Sequence, residues 1–327
     1  MSVYVVTGGA GFIGSHLAHA LAGAGHQVRV VDNLQADAAQ ERKAALAGLP
    51  GIRIICDDVR DAAACRRACD GADFVLHHAA EASVVRSVED PASCVAINVG
   101  GTINMLQAAV ESRSVRRFVF ASTCAVYGDG VEAAKREDGP TSPITPYATS
   151  KLAGEHFCDN MYRLHGLQTV ALRYFNVYGP GQDPNSAYAA VIPRFMTRLV
   201  AAEALTVYGD GGQSRDFIHV DDIVAANVQA TTHADLPPTG AYNVGSGRRT
   251  SVNELIAKLE RIVGRAVGVD RMPARPGDIR HSWADVRAAQ ETLGFTPAVS
   301  LDDGLARTLE YYRATAEAPP GRLAIVR

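Results

Sequence analysis

A glycine-rich turn near the start of the chain lies between a short apolar run and a helical pattern. The run Tyr4 to Thr7 is apolar and β-branched, and glycines follow at positions 8, 11 and 14. Glycines at this spacing permit a tight strand-to-helix turn, let a phosphate approach the helix N-terminus, and let the helix pack closely on a sheet. We therefore expect a dinucleotide to bind here, at Gly8, Gly11, Phe12 and Ile13.

An acidic residue follows this turn at the end of the next apolar run, Gln27 to Asp32. A carboxylate at that place accepts hydrogen bonds from the adenosine ribose and repels a 2'-phosphate, so the pattern favours NAD over NADP. We expect Asn33, next to Asp32, to bind the cofactor as well. We expect Asp58 and Val59, after the third apolar run, to border the adenine. A glycine turn that serves packing alone is the alternative, and the order of strand, turn, helix and acid argues against it.

The first half of the chain alternates short apolar runs with helix-length segments, which predicts a parallel sheet with helices on both faces. We expect an α/β fold with a Rossmann doubly wound parallel sheet over residues 1–175 and a smaller α+β substrate-binding lobe over residues 176–327. Residues 216–245 again resemble a helix and a strand, and we expect them to pack back onto the first domain.

Composition narrows the class of protein. Of the 327 residues, 32 are basic and 35 acidic, without long runs of either sign, so no nucleic-acid or membrane partner is expected. No apolar stretch in the sequence suggests a bilayer span, and no secretory signal pattern follows Met1. The six cysteines lack Cys-x-x-Cys spacing, so we expect no disulfide framework, no metal site and a cytoplasmic location.

A tyrosine and a lysine four residues apart open a helical pattern after Pro146. Tyr147 and Lys151 therefore lie on one helix face and can address one substrate atom. A nearby ammonium favours the phenolate, so Lys151 with a bound nicotinamide cation would lower the pKa of Tyr147. Thr123 ends a predicted strand, where its hydroxyl can share a proton with a substrate hydroxyl.

These motifs resemble the extended short-chain dehydrogenase/reductases, specifically the group of nucleotide-sugar epimerases and dehydratases, over essentially the whole sequence. The resemblance implies a catalytic triad of Thr123, Tyr147 and Lys151. It also implies that Asn98 orients the cofactor side of the site and that helices containing Asn98 and Tyr147 pair in a homodimer. The segment after the fourth strand resembles the epimerase pattern along the cofactor and sugar, which implicates Ala79, Ala80 and Ser83.

The second half of the chain resembles the UDP-sugar epimerases. The resemblance implies that Asn176, Arg215 and Arg275 bind the diphosphate, that the backbone near Ala190 and Val191 binds uracil, and that Asp278 binds the ribose. Arginines suit a pyrophosphate because guanidinium groups form bidentate, charge-assisted hydrogen bonds. We expect Tyr208 and Cys124 to line the same pocket, with Cys124 as a packed thiol rather than a nucleophile.

The reaction indicated is inversion at C4 of a UDP-hexose or UDP-N-acetylhexosamine. Ser282 falls at the position where the family restricts pocket size, and a small residue there admits an N-acetyl group. Three alternatives stay open: a UDP-glucuronate 4-epimerase, a nucleotide-sugar 4,6-dehydratase and a non-catalytic NAD-sensing regulator. Dehydratases of this family have Asp-Glu after the catalytic threonine, where this chain has Cys124 and Ala125.

Overall fold

The computed structural model describes residues 1–36, 38–129, 134–184, 190–274 and 279–317. The strands in this part of the chain are β1 (Val3–Thr7), β2 (Gln27–Val31), β3 (Ile52–Ile55), β4 (Phe74–His77), β5 (Arg117–Thr123), β6 (Gln168–Tyr174), β7 (Asn176–Tyr178), β8 (Leu205–Tyr208), β9 (Ser214–Arg215), β10 (Phe217–His219), β11 (Thr239–Val244), β12 (Thr250–Ser251), β13 (Val269–Met272) and β14 (His281–Ser282). The α-helices are α1 (Phe12–Gly23), α2 (Ala39–Ala47), α3 (Ala62–Cys69), α4 (Val84–Glu89), α5 (Pro91–Val95), α6 (Gly101–Ser112), α7 (Pro146–His165), α8 (Val191–Val200), α9 (Val220–Thr232), α10 (Val252–Val263) and α11 (Leu301–Glu317).

A seven-stranded sheet forms the centre of the molecule, in the order β11-β6-β5-β4-β1-β2-β3. Every neighbouring pair in it is parallel. The strand order reverses between β1 and β4, so the crevice at their carboxyl ends is the place where doubly wound sheets bind ligands. The predicted Rossmann doubly wound fold is confirmed.

Both faces of the sheet are covered, which explains why its strands are continuously apolar rather than alternating. On one face, Leu17 and Leu21 of α1 and Ile223 of α9 pack in one buried cluster with the strands. On the other face, Met105 of α6 and Cys158 of α7 belong to a second cluster. The result is a three-layer α/β/α arrangement.

The last strand of the sheet comes from far along the sequence. β11 pairs with β6 from Thr239 opposite Thr169 to Val244 opposite Tyr174. The intervening helix α9 packs against α1. The chain therefore leaves the sheet after β6 and returns to it in the segment from α9 to β11, and the boundary near residue 175 stays a prediction.

The remaining elements form a smaller lobe with its own core. β8 pairs with β13, and β9 pairs with β12 and β14. Helices α8, α10 and α11 supply buried side chains to a third cluster, among them Phe195, Leu255 and Leu305. This lobe lies beyond the carboxyl edge of β6, where β7 pairs with β10.

The expectation that no stretch of the chain is suited to span a bilayer was wrong by length and composition. The helical segment Pro91–Ser112, in which a π-helical turn (Ala96–Gly100) joins α5 to α6, has 22 residues, and its most apolar 18-residue stretch has a mean hydropathy of 1.2. The core helix of a folded protein has the same properties, and 44% of its most apolar stretch is buried. Its buried side packs against α3 and α7.

Candidate active site at the carboxyl edge of the sheet

The glycine turn lies at the point where the strand order reverses. Gly8 follows β1 with φ +63°, and a Cβ there would lie 2.8 Å from the amide nitrogen of Ala79, which follows β4. The Thr7 hydroxyl accepts hydrogen bonds from the amides of His78 and Ala79, at 3.1 Å each. The ends of β1 and β4 are therefore held close together. A ligand can contact the protein backbone there, but the turn has no room for a side chain at position 8.

The N-terminus of α1 points out of this turn. Its N-cap residue, Gly11, has no side chain, so the N–H groups of the first helical turn, which begins at Phe12 and Ile13, stay available for an anion. A Cβ on Gly14 would collide with the Gly8 carbonyl and lie 2.7 Å from Gly9 Cα. This close packing of helix on turn fits a pyrophosphate at the helix N-terminus.

Asp32, at the end of β2, is fixed by the backbone around it. Its carboxylate accepts hydrogen bonds from Ala10 N at 3.0 Å and from Leu34 N at 2.8 Å. Asn33 donates to Asp58 Oδ2 at 2.9 Å, and hydrogen bonds from Arg60 hold the pKa of Asp58 well below its usual range. Val59 beside Asp58 is buried. The four predicted residues thus meet at one end of the glycine turn, where an adenosine would lie.

Asn98 lies in the π-helical turn between α5 and α6 and is buried. Its amide oxygen accepts from Glu81 N at 2.7 Å, and its amide nitrogen donates to Glu81 O at 3.1 Å and to Ser150 Oγ at 2.9 Å. Asn98 thereby connects α7 to the loop after β4, which contains Ala79 and Ala80. That loop ends at Ser83, which caps α4 by accepting a hydrogen bond from Arg86 N.

Thr123, Tyr147 and Lys151 meet at the carboxyl end of β5. The Thr123 hydroxyl lies close enough to the Tyr147 phenol to lower the pKa of that phenol. Lys151 is 4% exposed, and its Nζ donates to the Ala121 carbonyl at 2.9 Å. α7 can approach β5 this closely because its Gly154 has no side chain: a Cβ there would lie 2.8 Å from Phe120 Cε1.

Burial dominates the electrostatics of this group. Burial raises the pKa of Tyr147 to about 12, although the nearby Thr123 hydroxyl opposes the shift. Burial also lowers the pKa of Lys151 to about 8, because the ammonium loses its hydration. The chain by itself therefore does not lower the phenol pKa, and a further positive charge beside the phenol is required.

Cys124 follows Thr123 and packs in a small apolar cluster with Val126, Phe175 and Ala284. Burial raises the pKa of its thiol to about 11, so the thiol is protonated at neutral pH. A protonated thiol is a weak nucleophile, which agrees with a packed side chain rather than a reactive one.

A cavity of about 370 Å³ opens in the smaller lobe, beside the carboxyl edge of the sheet. Five of the predicted substrate residues line it, namely Asn176, Ala190, Val191, Tyr208 and Arg215. The Asn176 Oδ1 is buried and has no hydrogen-bond partner among the described residues. A buried polar atom without a partner costs free energy, so its presence in a cavity fits a polar ligand.

The remaining predicted residues flank this cavity or fall outside the described part of the chain. Ser282 is buried in β14 and lies opposite Arg215 of β9. Arg275 and Asp278 lie outside the described residues, and their predicted contacts are neither supported nor opposed by the structure.

The structure also brings in residues that the sequence did not single out. Ser122 donates to the Glu155 carboxylate, and Arg173 donates to that carboxylate at 2.9 and 2.7 Å. Glu155 is one helical turn after Lys151, so its spacing was a usable signal. Thr7, which joins β1 to β4, offered no such signal because its partners are about 70 residues away in the sequence.

Comparisons with known proteins place this site in a family. The model of the NAD-dependent epimerase/dehydratase family matches residues 4–245. The chain belongs to that family. Its cofactor is therefore NAD, for which the turn, the uncapped helix and Asp32 are suited.

Individual members of the epimerase/dehydratase family cover nearly the whole chain. A UDP-glucose 4-epimerase from Mycolicibacterium smegmatis is 37% identical over 315 residues, 94% of this chain and 98% of that protein. A dTDP-glucose 4,6-dehydratase from Streptomyces griseus is 38% identical over 313 residues, 94% of this chain and 93% of that protein. The solved structure of a UDP-N-acetylglucosamine 4-epimerase from Methanobrevibacter ruminantium, in complex with UDP-N-acetylmuramic acid, has a TM-score of 0.90 and 34% identity and covers 96% of this chain and 99% of that one.

Proposed function

We propose that the protein is a UDP-sugar 4-epimerase that inverts C4 of a UDP-hexose or UDP-N-acetylhexosamine through a 4-keto intermediate. The arrangement of Thr123, Tyr147 and Lys151 at the sheet edge is the main support. It places one proton-transfer group and one buried ammonium beside the NAD turn. The cavity in the smaller lobe adjoins this edge through Cys124, whose thiol is close enough to Arg215 and Asp216 for their charges to change its pKa.

In this proposal Tyr147 is the group that exchanges a proton with the sugar 4-hydroxyl. The nearby Thr123 hydroxyl lowers the pKa of the phenol and so favours the phenolate form. Lys151, held on the Ala121 carbonyl, supplies a fixed positive charge from the same helix face. The same phenol returns the proton after inversion, so no net acid or base is consumed.

The cofactor would be held by the glycine turn, the N-terminus of α1, Asp32, and the loop that Asn98 fixes. When bound, NAD supplies reversible acceptance of a hydride from C4 together with a positively charged ring. Burial within the protein raises the pKa of Tyr147, and the positive charge of the bound ring would lower it. We expect NAD to copurify, because each turnover regenerates it.

The nucleotide would occupy the cavity of about 370 Å³ in the smaller lobe. We propose that Asn176 and Arg215, with Arg275, bind the diphosphate, that the backbone at Ala190 and Val191 binds uracil, and that Asp278 binds the ribose. In this division residues 1–175 with 216–245 hold the cofactor, and the rest of residues 176–327 holds the UDP-sugar. Two observations support this placement: Asn176 Oδ1 has no partner within the described part of the chain, and Tyr208 lines the cavity.

Ser282 favours substrates with an N-acetyl group. It is a small side chain directly opposite Arg215 in the pairing of β14 with β9. By the family resemblance it lies at the position that limits the sugar pocket, and its small size leaves room there for an N-acetyl group. A UDP-glucuronate would instead need a cation for its carboxylate. We therefore rank UDP-N-acetylhexosamines first, plain UDP-hexoses second and UDP-glucuronate third.

A 4,6-dehydratase is the second candidate, because a dehydratase is among the relatives that match 94% of the chain. Elimination of water across C5 and C6 needs an additional acid and base beside the catalytic threonine. The residues there are Cys124, whose buried thiol is protonated, and Ala125. These side chains favour epimerisation.

The decisive experiment is to incubate the purified protein separately with UDP-N-acetylglucosamine, UDP-glucose and UDP-glucuronate, without added cofactor, and to resolve products by NMR. Formation of the matching 4-epimer supports the proposal and ranks the substrates. A 4-keto-6-deoxy product would replace it with dehydration, and no product from any sugar would leave an NAD-binding regulator.

The assignment of the proton-transfer group has its own test. Tyr147→Phe should lower kcat by at least about 1,000-fold, the upper part of the range for a general acid–base group, with NAD still bound. Tyr162→Phe is the matched control, since it removes a phenol from the same helix away from the site, and it should be close to wild type. Near-normal turnover by Tyr147→Phe would remove Tyr147 from the mechanism.

We also propose a cytoplasmic homodimer in which the Pro91–Ser112 segment and α7 pair with those of a second copy. Val95 within this segment is 49% exposed, and Val88 of the neighbouring α4 is 59% exposed. The cysteines are all free, which suits a reducing compartment. Light scattering should give twice the chain mass, and Val95→Glu should give the monomer mass. A monomeric wild-type protein contradicts this pairing.

A further inference from the structure

A buried ion pair lies directly behind the candidate active site. Arg173 of β6 and Glu155 of α7 have side chains that are 7% and 8% exposed. Arg173 Nε donates to Glu155 Oε1 at 2.9 Å, and its terminal nitrogen donates to Oε2 at 2.7 Å. The Glu155 carboxylate also accepts a hydrogen bond from the Ser122 hydroxyl on β5. One carboxylate therefore connects a helix with two strands of the sheet.

The contacts between α7 and β5 follow a regular spacing. Tyr147, Lys151 and Glu155 are four residues apart, so they lie on one face of α7. They reach three consecutive residues of β5. The Glu155 carboxylate accepts a hydrogen bond from the Ser122 hydroxyl, and Lys151 donates one to the Ala121 carbonyl. The Tyr147 phenol lies close enough to the Thr123 hydroxyl for that hydroxyl to lower the phenol pKa. The end of β5 is thus held against α7 through Ala121 and Ser122, which precede the last peptide bond of the strand, and through Thr123, which follows it.

Stability alone does not explain this arrangement. Burying an ion pair costs desolvation energy that the attraction between the charges often only offsets, so well-packed apolar residues would serve stability as well. Apolar residues would not fix the orientation of α7 relative to the strands or the distance between them. A bidentate guanidinium–carboxylate contact does both, because its two hydrogen bonds fix the plane of the carboxylate. Arg173 is fixed in turn by a hydrogen bond to the Tyr127 hydroxyl at 2.9 Å.

We propose that Glu155 is a positioning residue that acts through Ser122 and Arg173. It fixes the end of β5 relative to α7 and thereby sets the distances of Thr123 and Lys151 from the Tyr147 phenol. This inference rests on the proposed function for its effect on turnover. Its effect on the phenol itself does not depend on which sugar, if any, the protein converts.

Ser122→Ala is the sharpest variant, because it removes the link between Glu155 and β5 and leaves the buried ion pair intact. Thr169→Val is the matched control. The Thr169 hydroxyl also connects α7 to a strand, since it donates to the Cys158 carbonyl at 3.0 Å, but at the far end of β6. Both substitutions remove one buried hydroxyl between α7 and the sheet, so both should lower thermal stability to a similar extent.

The measurement is the ionisation of Tyr147 in the NAD-loaded protein, followed by ultraviolet difference spectra. Tyr147→Phe in the same background is subtracted, which removes the signals of the other tyrosines. The other titratable groups near the phenol and Lys151 are the thiols of Cys94 and Cys124 and the rings of His77 and His78. All of them are unchanged in both variants.

We expect Ser122→Ala to raise the ionisation midpoint of Tyr147 by at least about half a pH unit, because a looser strand end increases the distance between charge and phenol. We also expect kcat to fall about tenfold with KM within about twofold, and we expect Thr169→Val to change neither quantity. If Ser122→Ala leaves the midpoint at the Thr169→Val value, the proposal is overturned. An inactive wild-type protein would remove the proposed function, and the titration would still decide the role of Glu155.

Discussion

The cofactor side and the nucleotide side of the site are assembled in different ways. The cofactor side uses short contiguous segments at strand ends, such as the turn from Thr7 to Gly14. Its geometry depends on backbone atoms and on glycines, whose lack of a side chain permits close contacts. The cavity of the smaller lobe instead collects single side chains from β7, β8, β9 and α8. The first side tolerates few substitutions because its backbone is crowded. The second side can change ligand preference through individual side chains while the sheet stays intact.

The largest effect should come from Gly14→Ala on the cofactor side. Its Cβ would collide with the Gly8 carbonyl, so the turn and α1 must separate. We expect NAD to bind more than about 100-fold more weakly, equivalent to roughly 3 kcal/mol. Gly23→Ala is the control in the same helix, because a Cβ there meets nothing within 4 Å.

Nucleotide released from the purified variants by acid gives the NAD occupancy, and calorimetry gives the affinity after removal of NAD. Full occupancy in Gly14→Ala would mean that the turn has room the structure does not show. The contrast between the two sides of the site would then fail.

A smaller effect is expected on the nucleotide side from Asn176→Ala. Loss of one hydrogen bond to a ligand corresponds to about 1–2 kcal/mol, so KM for the UDP-sugar should rise about tenfold, with NAD occupancy unchanged. Thermal stability should not fall, since the substitution removes a buried oxygen that has no partner among the described residues.

Asn253→Ala is the matched control for this substitution, because Asn253 lies in the same lobe and its side chain bonds the Asp210 carbonyl at 2.9 Å instead of lining the cavity. Steady-state kinetics and thermal melts test the pair. A drop in NAD occupancy for Asn176→Ala would show that the two sides are not separable.

The smallest effect near neutral pH should come from Lys151, whose pKa burial lowers to about 8. As the pH rises through about 8 the ammonium is lost, and kcat should fall by about half at that pH and by about tenfold one unit higher. Lys151→Arg should have a lower kcat overall and no fall in this range, because a guanidinium stays protonated. A pH profile of wild-type kcat that is flat to pH 9.5 would exclude a titrating Lys151.

The sequence predicted the contiguous part of the site better than the part assembled by folding. The glycine turn, Asp32 and the Tyr147–Lys151 spacing are local patterns, and local patterns survive without knowledge of tertiary contacts. The partnership of Glu155 with Ser122 and Arg173 could not be read from the chain, because these residues are 33 and 18 positions apart. The burial that raises the pKa of Tyr147 could not be read from the sequence for the same reason, since burial depends on the whole fold.

The late return of β11 to the sheet affects how this protein can be made. During synthesis β6 is the open edge of the sheet until residue 244 has left the ribosome, because β11 is its partner on that side. An apolar edge strand that waits for its partner is a template for pairing with another chain. The segment between β6 and β11 includes β7, α8, β8 and β9, so much of the nucleotide cavity must be synthesised before the cofactor sheet is complete. We expect a fragment that ends near residue 175 to aggregate rather than bind NAD, and we therefore expect that the cofactor half is not an independent module.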